Sequence, residues 1–399
     1  MAKPQRYLTA MAFERLTRRS FTNTVQHTAP GCFVPAELIN LRTQSQASRV
    51  VPLHVGRPVI LEEKHMIDLR SDTVTRPTKN MLAAMTAAEV GDDVWGDDPT
   101  VLRLQATVAE RAGKEAGLFF PSGTQSNLAA LMAHCARGDE YIVGQAAHTY
   151  KYEGGGAAVL GSIQPQPIEN ALDGSLPLDK IAAAIKPIDN HFARTRLLAL
   201  ENTIGGKVLL AGYVAEATQL ARDRGLSTHL DGARVCNAAV ASKQPVEALC
   251  APFDTVSICF SKGLGAPVGS VLVGSKALVD VAHRWRKVLG GGMRQAGVLA
   301  AACLYALDHN VERLAEDHDN AAHLAAGLAQ IDQVKVQSQA TNMVFAQFPQ
   351  AHCAPLEAWL KERGILTQML YASRFVTHMD VSRADIDTFV TAVKEYFAR

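Results

Sequence analysis

Three places in this 399-residue chain put polar residues directly behind a run of apolar ones. The first is Pro121-Ser122-Gly123-Thr124-Gln125-Ser126-Asn127, between Leu118-Phe119-Phe120 and a stretch of helical spacing from Leu128. Glycine at such a turn lets the backbone come close to a ligand, and the unpaired N–H groups that open a helix attract an anion, so a phosphate fits there. Ser122 or Thr124 acting as an ordinary helix cap explains the same residues. The segment lacks the lysine and the spacing of a Walker A loop, so no nucleoside triphosphate is implied. The second place is Asp231-Gly232-Ala233-Arg234 after residues 226–230, which reads either as an acid at a strand end or as a plain Asp-Gly turn. The third is Ser261-Lys262-Gly263-Leu264-Gly265 after residues 255–260. A lysine is normally a solvated surface charge, but this one follows an apolar strand and precedes glycines that give it little cover. It therefore projects toward the crevice at the carboxyl ends of the strands, where open α/β sheets bind ligands. The glycine spacing from Gly263 to Gly269 is wrong for a dinucleotide fingerprint, and a strand follows it, so a nicotinamide cofactor is discounted.

Together the three are more informative. A phosphate cradle, an acid at one strand end, and a lysine thirty-one residues later at the next are the contacts pyridoxal 5'-phosphate needs. Lys262 forms the covalent link that primes exchange with an amino-acid substrate. Asp231 pairs with the pyridine nitrogen and keeps it protonated, since an opposite charge at that range shifts a pKa by about 1–3 units.

These residues need a parallel sheet to position them, and the chain from Met66 has that pattern. Apolar runs of strand length (117–120, 141–143, 197–200, 227–230, 255–260, 269–273) alternate with helical spacing at 128–136, 213–224 and 296–307. After Val311 the order changes to a charged helix at 312–330, strands at 335–336 and 343–348, a helix at 355–363, a strand near 375–377 and a last helix from Arg383. The expected organisation is an N-terminal extension, 1–65; an α/β cofactor-binding large domain with a mainly parallel sheet, 66–310; and a smaller α+β domain, 311–399.

Composition bounds the rest. Hydrophobic residues are 48% and charged residues 20%, as in soluble globular chains, which excludes disorder and collagen-like repeats. The net charge of +1 argues against a nucleic-acid partner. It conceals an asymmetry: residues 1–65 carry nine Lys/Arg against four Asp/Glu, and residues 66–399 carry 31 against 35. Seven scattered cysteines without a CxxC pair indicate neither a zinc site nor a disulfide framework, and a reducing cytoplasm fits them. The longest apolar run, 296–307, is twelve residues, whereas a bilayer takes about 20, so no membrane span is expected. The Arg-rich, Ser/Thr-rich start of the chain shares the composition of transit peptides, although a dispensable tail, or a start codon upstream of the true one, accounts for it better.

The segments MIDLRSDTVT (Met66–Thr75), GDDVWGDD (Gly91–Asp98), PSGTQSN, GQAAHTY (Gly144–Tyr150), LENT (Leu200–Thr203), HLDGARV (His229–Val235), SKGLGAPVG (Ser261–Gly269) and GGGMRQAG (Gly290–Gly297) resemble those of the low-specificity L-threonine aldolases. The resemblance covers residues 66–399 and has no counterpart in the first 65. It implies a pyridoxal-phosphate enzyme of fold type I, usually a homotetramer with active sites at subunit interfaces. Such an enzyme cleaves L-threonine, L-allo-threonine and other β-hydroxy-α-amino acids to glycine and an aldehyde. By the same resemblance Lys262 is the Schiff-base lysine and Asp231 the partner of the ring nitrogen. Arg234 contacts the ring oxygen and the substrate carboxylate, and His148 lies over the ring. Gly123, Thr124, Ser261 and a neighbouring subunit's Arg294 hold the phosphate. Ser71 and Arg374 bind the substrate carboxylate, His191 approaches the substrate hydroxyl, and Trp95 reaches an adjacent subunit's site.

On the residues alone, His148 reads as an ordinary half-buried histidine, His191 as a solvent-exposed one, and Arg383 competes with Arg374 as anion binder. The acids Asp92, Asp93, Asp97 and Asp98 read as a capped turn more readily than as a cation site, and no metal is expected. His148, His191 or a water is acceptable as the base. The same cofactor contacts would also serve a β-eliminating lyase or an aminotransferase, whereas Lys262 speaks against a non-catalytic binding protein.

Overall fold

The computed structural model describes residues 65–399; the extension expected at 1–65 therefore lies, apart from His65, outside the described residues. The large sheet has seven strands: β2 (Ala116–Phe120), β3 (Asp139–Gly144), β4 (Gln164–Ile168), β5 (Arg194–Glu201), β6 (Ser227–Gly232), β7 (Thr255–Cys259) and β8 (Ser270–Gly274). Their spatial order is β2-β8-β7-β6-β5-β3-β4, and only β8 runs against its neighbours. The carboxyl ends of β2, β7, β6, β5 and β3 consequently meet at one edge of the sheet, the crevice in which an open α/β sheet places its ligand.

Strands of such a sheet are buried on both faces, and successive side chains point to opposite sides. Ile142, Leu198 and Leu200 pack on one face with Leu230, Val256 and the helices Pro99–Arg111, Ala211–Asp223 and Gly297–His309. Tyr141, Val143, Leu197 and Ala199 pack on the other with Leu128 and Leu131 of the helix Gly123–His134. The twelve-residue apolar run thus lies in a buried helix, and among the described residues no helix is long and apolar enough to cross a membrane.

A second hydrophobic core gathers the helices Leu314–Leu328, Gln350–Glu362 and Arg383–Phe397 around a three-stranded antiparallel sheet, β12-β10-β9, formed by β9 (Lys335–Ala340), β10 (Met343–Gln347) and β12 (Ala372–Val376). Ile67 and Leu69 belong to this core, not to the first: β1 (Ile67–Asp68) pairs in parallel with β11 (Ile365–Leu366). The start of the segment expected to open the large domain therefore packs with residues beyond 311.

No strand is expected from the sequence at β4, whose Gln-Pro-Gln-Pro-Ile carries two prolines. Proline cannot donate to a ladder, and β4 tolerates it because it is an edge strand paired only with β3. The helix expected to begin at Pro355 begins at Gln350 and contains that proline.

Candidate functional site

Ser122 closes the end of β2, its hydroxyl accepting from Gln125 N at 3.2 Å to cap the helix Gly123–His134. Capping and anion binding coexist here, because the N–H groups of Gly123 and Thr124 have no intrahelical acceptor and keep the dipole's positive end. Beneath the turn, Ser270 Oγ is buried without a hydrogen-bond partner among the described residues, 3.5 Å from where a Cβ on Gly123 would stand. An anion on the loop would meet that donor.

Asp231 is the last but one residue of β6 and is 3% exposed. Its Oδ2 accepts from Asn127 Nδ2 at 2.9 Å and its Oδ1 from Ala233 N at 3.0 Å. Lys262 follows β7 in a turn whose Gly265 N bonds the Lys262 carbonyl at 2.8 Å, with Gly265 at φ 78°. A Cβ on Gly265 would also stand 2.5 Å from Met379 Sδ, so glycine is required. Thr75 Oγ1 bonds the same carbonyl at 2.8 Å. With its backbone held from two sides, the partly buried Lys262 side chain has no hydrogen-bond or ion-pair partner among the described residues, and its charge acts on Asp72, Glu201 and His148.

His148 opens the short helix His148–Lys151 after β3. Its Nδ1 lies 2.8 Å from Glu153 Oε1, and that hydrogen bond holds the imidazole pKa above its ordinary value. One donor atom each from His148, Glu153 and Asp231 lies within 4.8 Å of the others, and Asn127 Nδ2 bridges the two acids, 3.0 Å from Glu153 and 2.9 Å from Asp231. Glu201, at the end of β5, is the register partner of Asp231 and accepts the His148 backbone N–H at 2.7 Å. Burial, and then the Asp231 charge, push the Glu201 carboxyl up to about 7.

Arg234, after β6, donates from Nε and Nη2 to the two oxygens of Asp72 at 2.8 and 2.6 Å. A buried carboxylate of the chain thus occupies Nε and Nη2 of the guanidinium expected to meet the ring oxygen and the substrate carboxylate. Arg374 on β12 donates from Nη2 to the Arg70 carbonyl at 3.3 Å and feels the like charge of Arg234. Ser71 Oγ accepts from Thr73 N at 3.2 Å and from Thr73 Oγ1 at 2.9 Å, capping the turn that carries Asp72. Ser261 Oγ lies 3.4 Å from Cys259 Sγ.

Three expected residues are not brought to this group. His191 is exposed, pairs with Asp189 at 2.6 Å and precedes Arg194 at the amino end of β5. At the usual rise per residue the length of that strand, about 23 Å, separates it from Glu201, so within one chain it does not reach the site. Arg294 pairs with Asp92 at 3.0 Å. Trp95 is 78% exposed in the loop between the acidic pairs. Those acids have local tasks: Asp98 Oδ1 caps the helix Pro99–Arg111 through Thr100 N and Val101 N, and Asp93 pairs with Arg286 at 2.9 Å.

Asp72, Asn127, Glu153 and Glu201 were not singled out in the sequence. Asp72, Asn127 and Glu201 sit inside three of the quoted motifs, and the one signal for Asn127 was its place four residues after Gly123, on the inner face of the helix's first turns.

The donor set suits pyridoxal phosphate. A helix N-terminus with a buried orphan hydroxyl beneath it, a buried carboxylate already oriented by two donors, and an unpaired lysine at adjoining strand ends match its phosphate, ring nitrogen and aldehyde.

A profile of the β-eliminating lyase family matches residues 68–351. The chain is 56% identical over 334 residues to the low-specificity L-threonine aldolase of Escherichia coli strain K12, covering 84% of this chain and 100% of that one. It is 44% identical over 348 residues to a probable low-specificity L-threonine aldolase 2 of Arabidopsis thaliana, covering 83% and 97%. Among solved structures, a Leishmania major threonine aldolase aligns with a TM-score of 0.71 at 21% identity over 83% of this chain and 99% of that one. A Sphingomonas wittichii serine palmitoyltransferase aligns at 0.65 and 18% identity, over 83% and 86%. At those identities the two structures show a shared fold.

Proposed function

The chain belongs to the β-eliminating lyase family and groups there with the low-specificity L-threonine aldolases, and from this premise we propose how its own residues carry the reaction. It is a pyridoxal-phosphate-dependent carbon–carbon lyase that splits L-threonine, L-allo-threonine and related β-hydroxy-α-amino acids into glycine and an aldehyde. The observation that supports the assignment of roles best is the placing of a buried, doubly hydrogen-bonded Asp231 and of Lys262, unpartnered among the described residues, at the carboxyl ends of β6 and β7.

The cofactor supplies an electron sink for the pair released when the Cα–Cβ bond breaks. Lys262 would hold it covalently. Gly123, Thr124 and Ser261 would hold the phosphate, Asp231 the ring nitrogen, and His148 would lie over the ring. Arg374 and Ser71 receive the substrate carboxylate, while Arg234, locked by Asp72, lends charge and shape to that pocket. Holding the carboxylate orients the bond to be broken, a positioning effect. His148 Nε2 accepts the β-hydroxyl proton, with Glu153 fixing the ring through Nδ1. His191, Trp95 and Arg294 act on a neighbouring subunit's site in a homotetramer; the exposure of the first two and the distance of His191 from its own site support that reading. A cytoplasmic enzyme fits the unpaired cysteines and the missing apolar span among the described residues.

The test is incubation of the purified protein, loaded with pyridoxal phosphate, with L-allo-threonine. Glycine and acetaldehyde in equal amounts are expected; ammonia and a keto acid instead would sink the aldolase reading in favour of β-elimination.

A further inference from the structure

Behind Asp231 a chain of buried polar groups runs away from the site. Asn127 is 2% exposed, His229 and Thr255 are fully buried. Asn127 Nδ2 spends both its protons on carboxylates, Asp231 Oδ2 at 2.9 Å and Glu153 Oε1 at 3.0 Å. Its Oδ1 therefore faces away from the acids and meets His229 Nε2 at 3.2 Å. His229 Nδ1 lies 2.8 Å from Thr255 Oγ1, and the same hydroxyl lies 2.8 Å from His134 Nε2.

The donors can be ordered from the chemistry. Asn127 Oδ1 only accepts, so His229 must carry its proton on Nε2; Nδ1 then only accepts, and Thr255 must give it the hydroxyl proton. Thr255 is left to accept from His134 Nε2–H. This order needs neutral imidazoles, and burial supplies that condition: it draws His229 down to about 3 and His134 down to about 4. Each group then has one possible role, and the direction ends on the carboxylate beside the ring nitrogen.

We propose that His229, held in its Nε2–H tautomer by Thr255, is a positioning residue that locks the Asn127 amide so that it donates to Asp231 and holds that carboxylate aimed at the cofactor. The proposal rests on the reading of Asp231 as the partner of the ring nitrogen. Without the lock, the Asn127 carbonyl oxygen is left buried with no donor, and only the two acids hold the amide in place. A buried polar group left without its partner costs stability and loosens the network it belongs to.

The test begins with full-length protein labelled with ¹⁵N-histidine. Long-range ¹H–¹⁵N correlation is expected to show His229 as a neutral Nε2–H imidazole from about pH 5 to 8; an Nδ1–H or charged ring overturns the proposal. The second arm measures pyridoxal phosphate affinity and the pH midpoint of the bound cofactor's visible absorption. His229→Leu and the near-isosteric Thr255→Val are each expected to weaken affinity by about tenfold, the size of one buried partner lost, and to move the midpoint. His229→Gln, which can still donate to Asn127, and Thr255→Ser are expected to restore both. A merely structural role would lower the melting temperature and leave the midpoint where it was, so folded Thr255→Val protein with unchanged affinity and midpoint overturns the proposal. Asp231→Asn run alongside separates the two ideas: if it too leaves the cofactor unchanged, the reading of Asp231 fails; if it alone acts, only the role of His229 does.

Discussion

Arg234 and Asp72 form a fork-to-fork pair, 2.8 and 2.6 Å, in which the carboxylate has no exposed surface. Burial alone would raise the Asp72 carboxyl. The charge of Arg234, its hydrogen bonds and the charge of Lys262 outweigh it and hold the group well below the ordinary carboxylate range. Asn342 Nδ2 adds a further donor at 3.2 Å. The pair ties the turn after β1 to the end of β6, and so joins the two hydrophobic cores beside the lysine.

Asp72→Asn leaves Arg234 buried and uncompensated, a loss of about 3–5 kcal/mol. The pH dependence has a definite sign. A depressed carboxylate contributes fully above its unfolded value near 4, and the contribution is lost as pH falls through the folded value. Urea midpoints measured from neutral pH downward should therefore fall steeply below about pH 4 in the parent protein and more gently in the variant. Equal midpoints at neutral pH would contradict this account.

With Nε and Nη2 of Arg234 engaged by Asp72, the proposed carboxylate clamp would rest chiefly on Arg374. Its guanidinium is drawn down by burial and by the like charge of Arg234, which an incoming carboxylate would relieve. Arg374→Lys keeps a charge but not the planar fork, and is not conservative at such a position. An increase in KM of at least about tenfold with a smaller change in kcat is expected, the loss of a charge-assisted bond worth about 1.5–3 kcal/mol. Steady-state kinetics with L-allo-threonine measure it, and an unchanged KM would remove Arg374 from the clamp.

The hydrogen bond from His148 Nδ1 to Glu153 is the first cause of the raised His148 pKa. A base works in its neutral form, so activity should rise as pH passes upward through the His148 value. Glu153→Gln removes the acceptor charge, lowers that value and shifts the acid limb of the kcat profile to lower pH. A shift to higher pH, or none, would argue that another group or a water takes the proton.

Much of the site was legible because its residues sit at strand ends. Gly123, Asp231 and Lys262 each follow an apolar run, and a parallel sheet must bring such positions to one edge. Asp72, Asn127, Glu153 and Glu201 were illegible for the complementary reason. Asp72, Asn127 and Glu201 act on partners 162, 104 and 53 residues away, at distances no local period encodes, and Glu153, five residues from His148, joins the site through Asn127, 26 residues away. The strand β4 was hidden by prolines that only an edge tolerates, and the placement of β1 with the second core depends on two residues pairing with Ile365 and Leu366.

Arg286 and Asp93 make a second buried pair, 2.9 Å apart with side chains 2% and 6% exposed, and Arg286 Nη1 also bonds the Phe119 carbonyl at 2.7 Å. Burial pushes the arginine down and the acid up, the signs expected when charges are removed from water. The pair is thus weak evidence for net stability, but breaking it strands a charge. Arg286→Met should cost about 3–5 kcal/mol by chemical denaturation, and Arg286→Met with Asp93→Leu should cost markedly less than the sum of the two single changes. Phe119 is followed by the last residue of β2 and then the phosphate turn, so the single variant should also bind pyridoxal phosphate more weakly, and the double variant should not recover that affinity because the carbonyl stays unbonded. Additive losses in the cycle would mean that Arg286 acts through its stem and the carbonyl alone, with Asp93 a bystander.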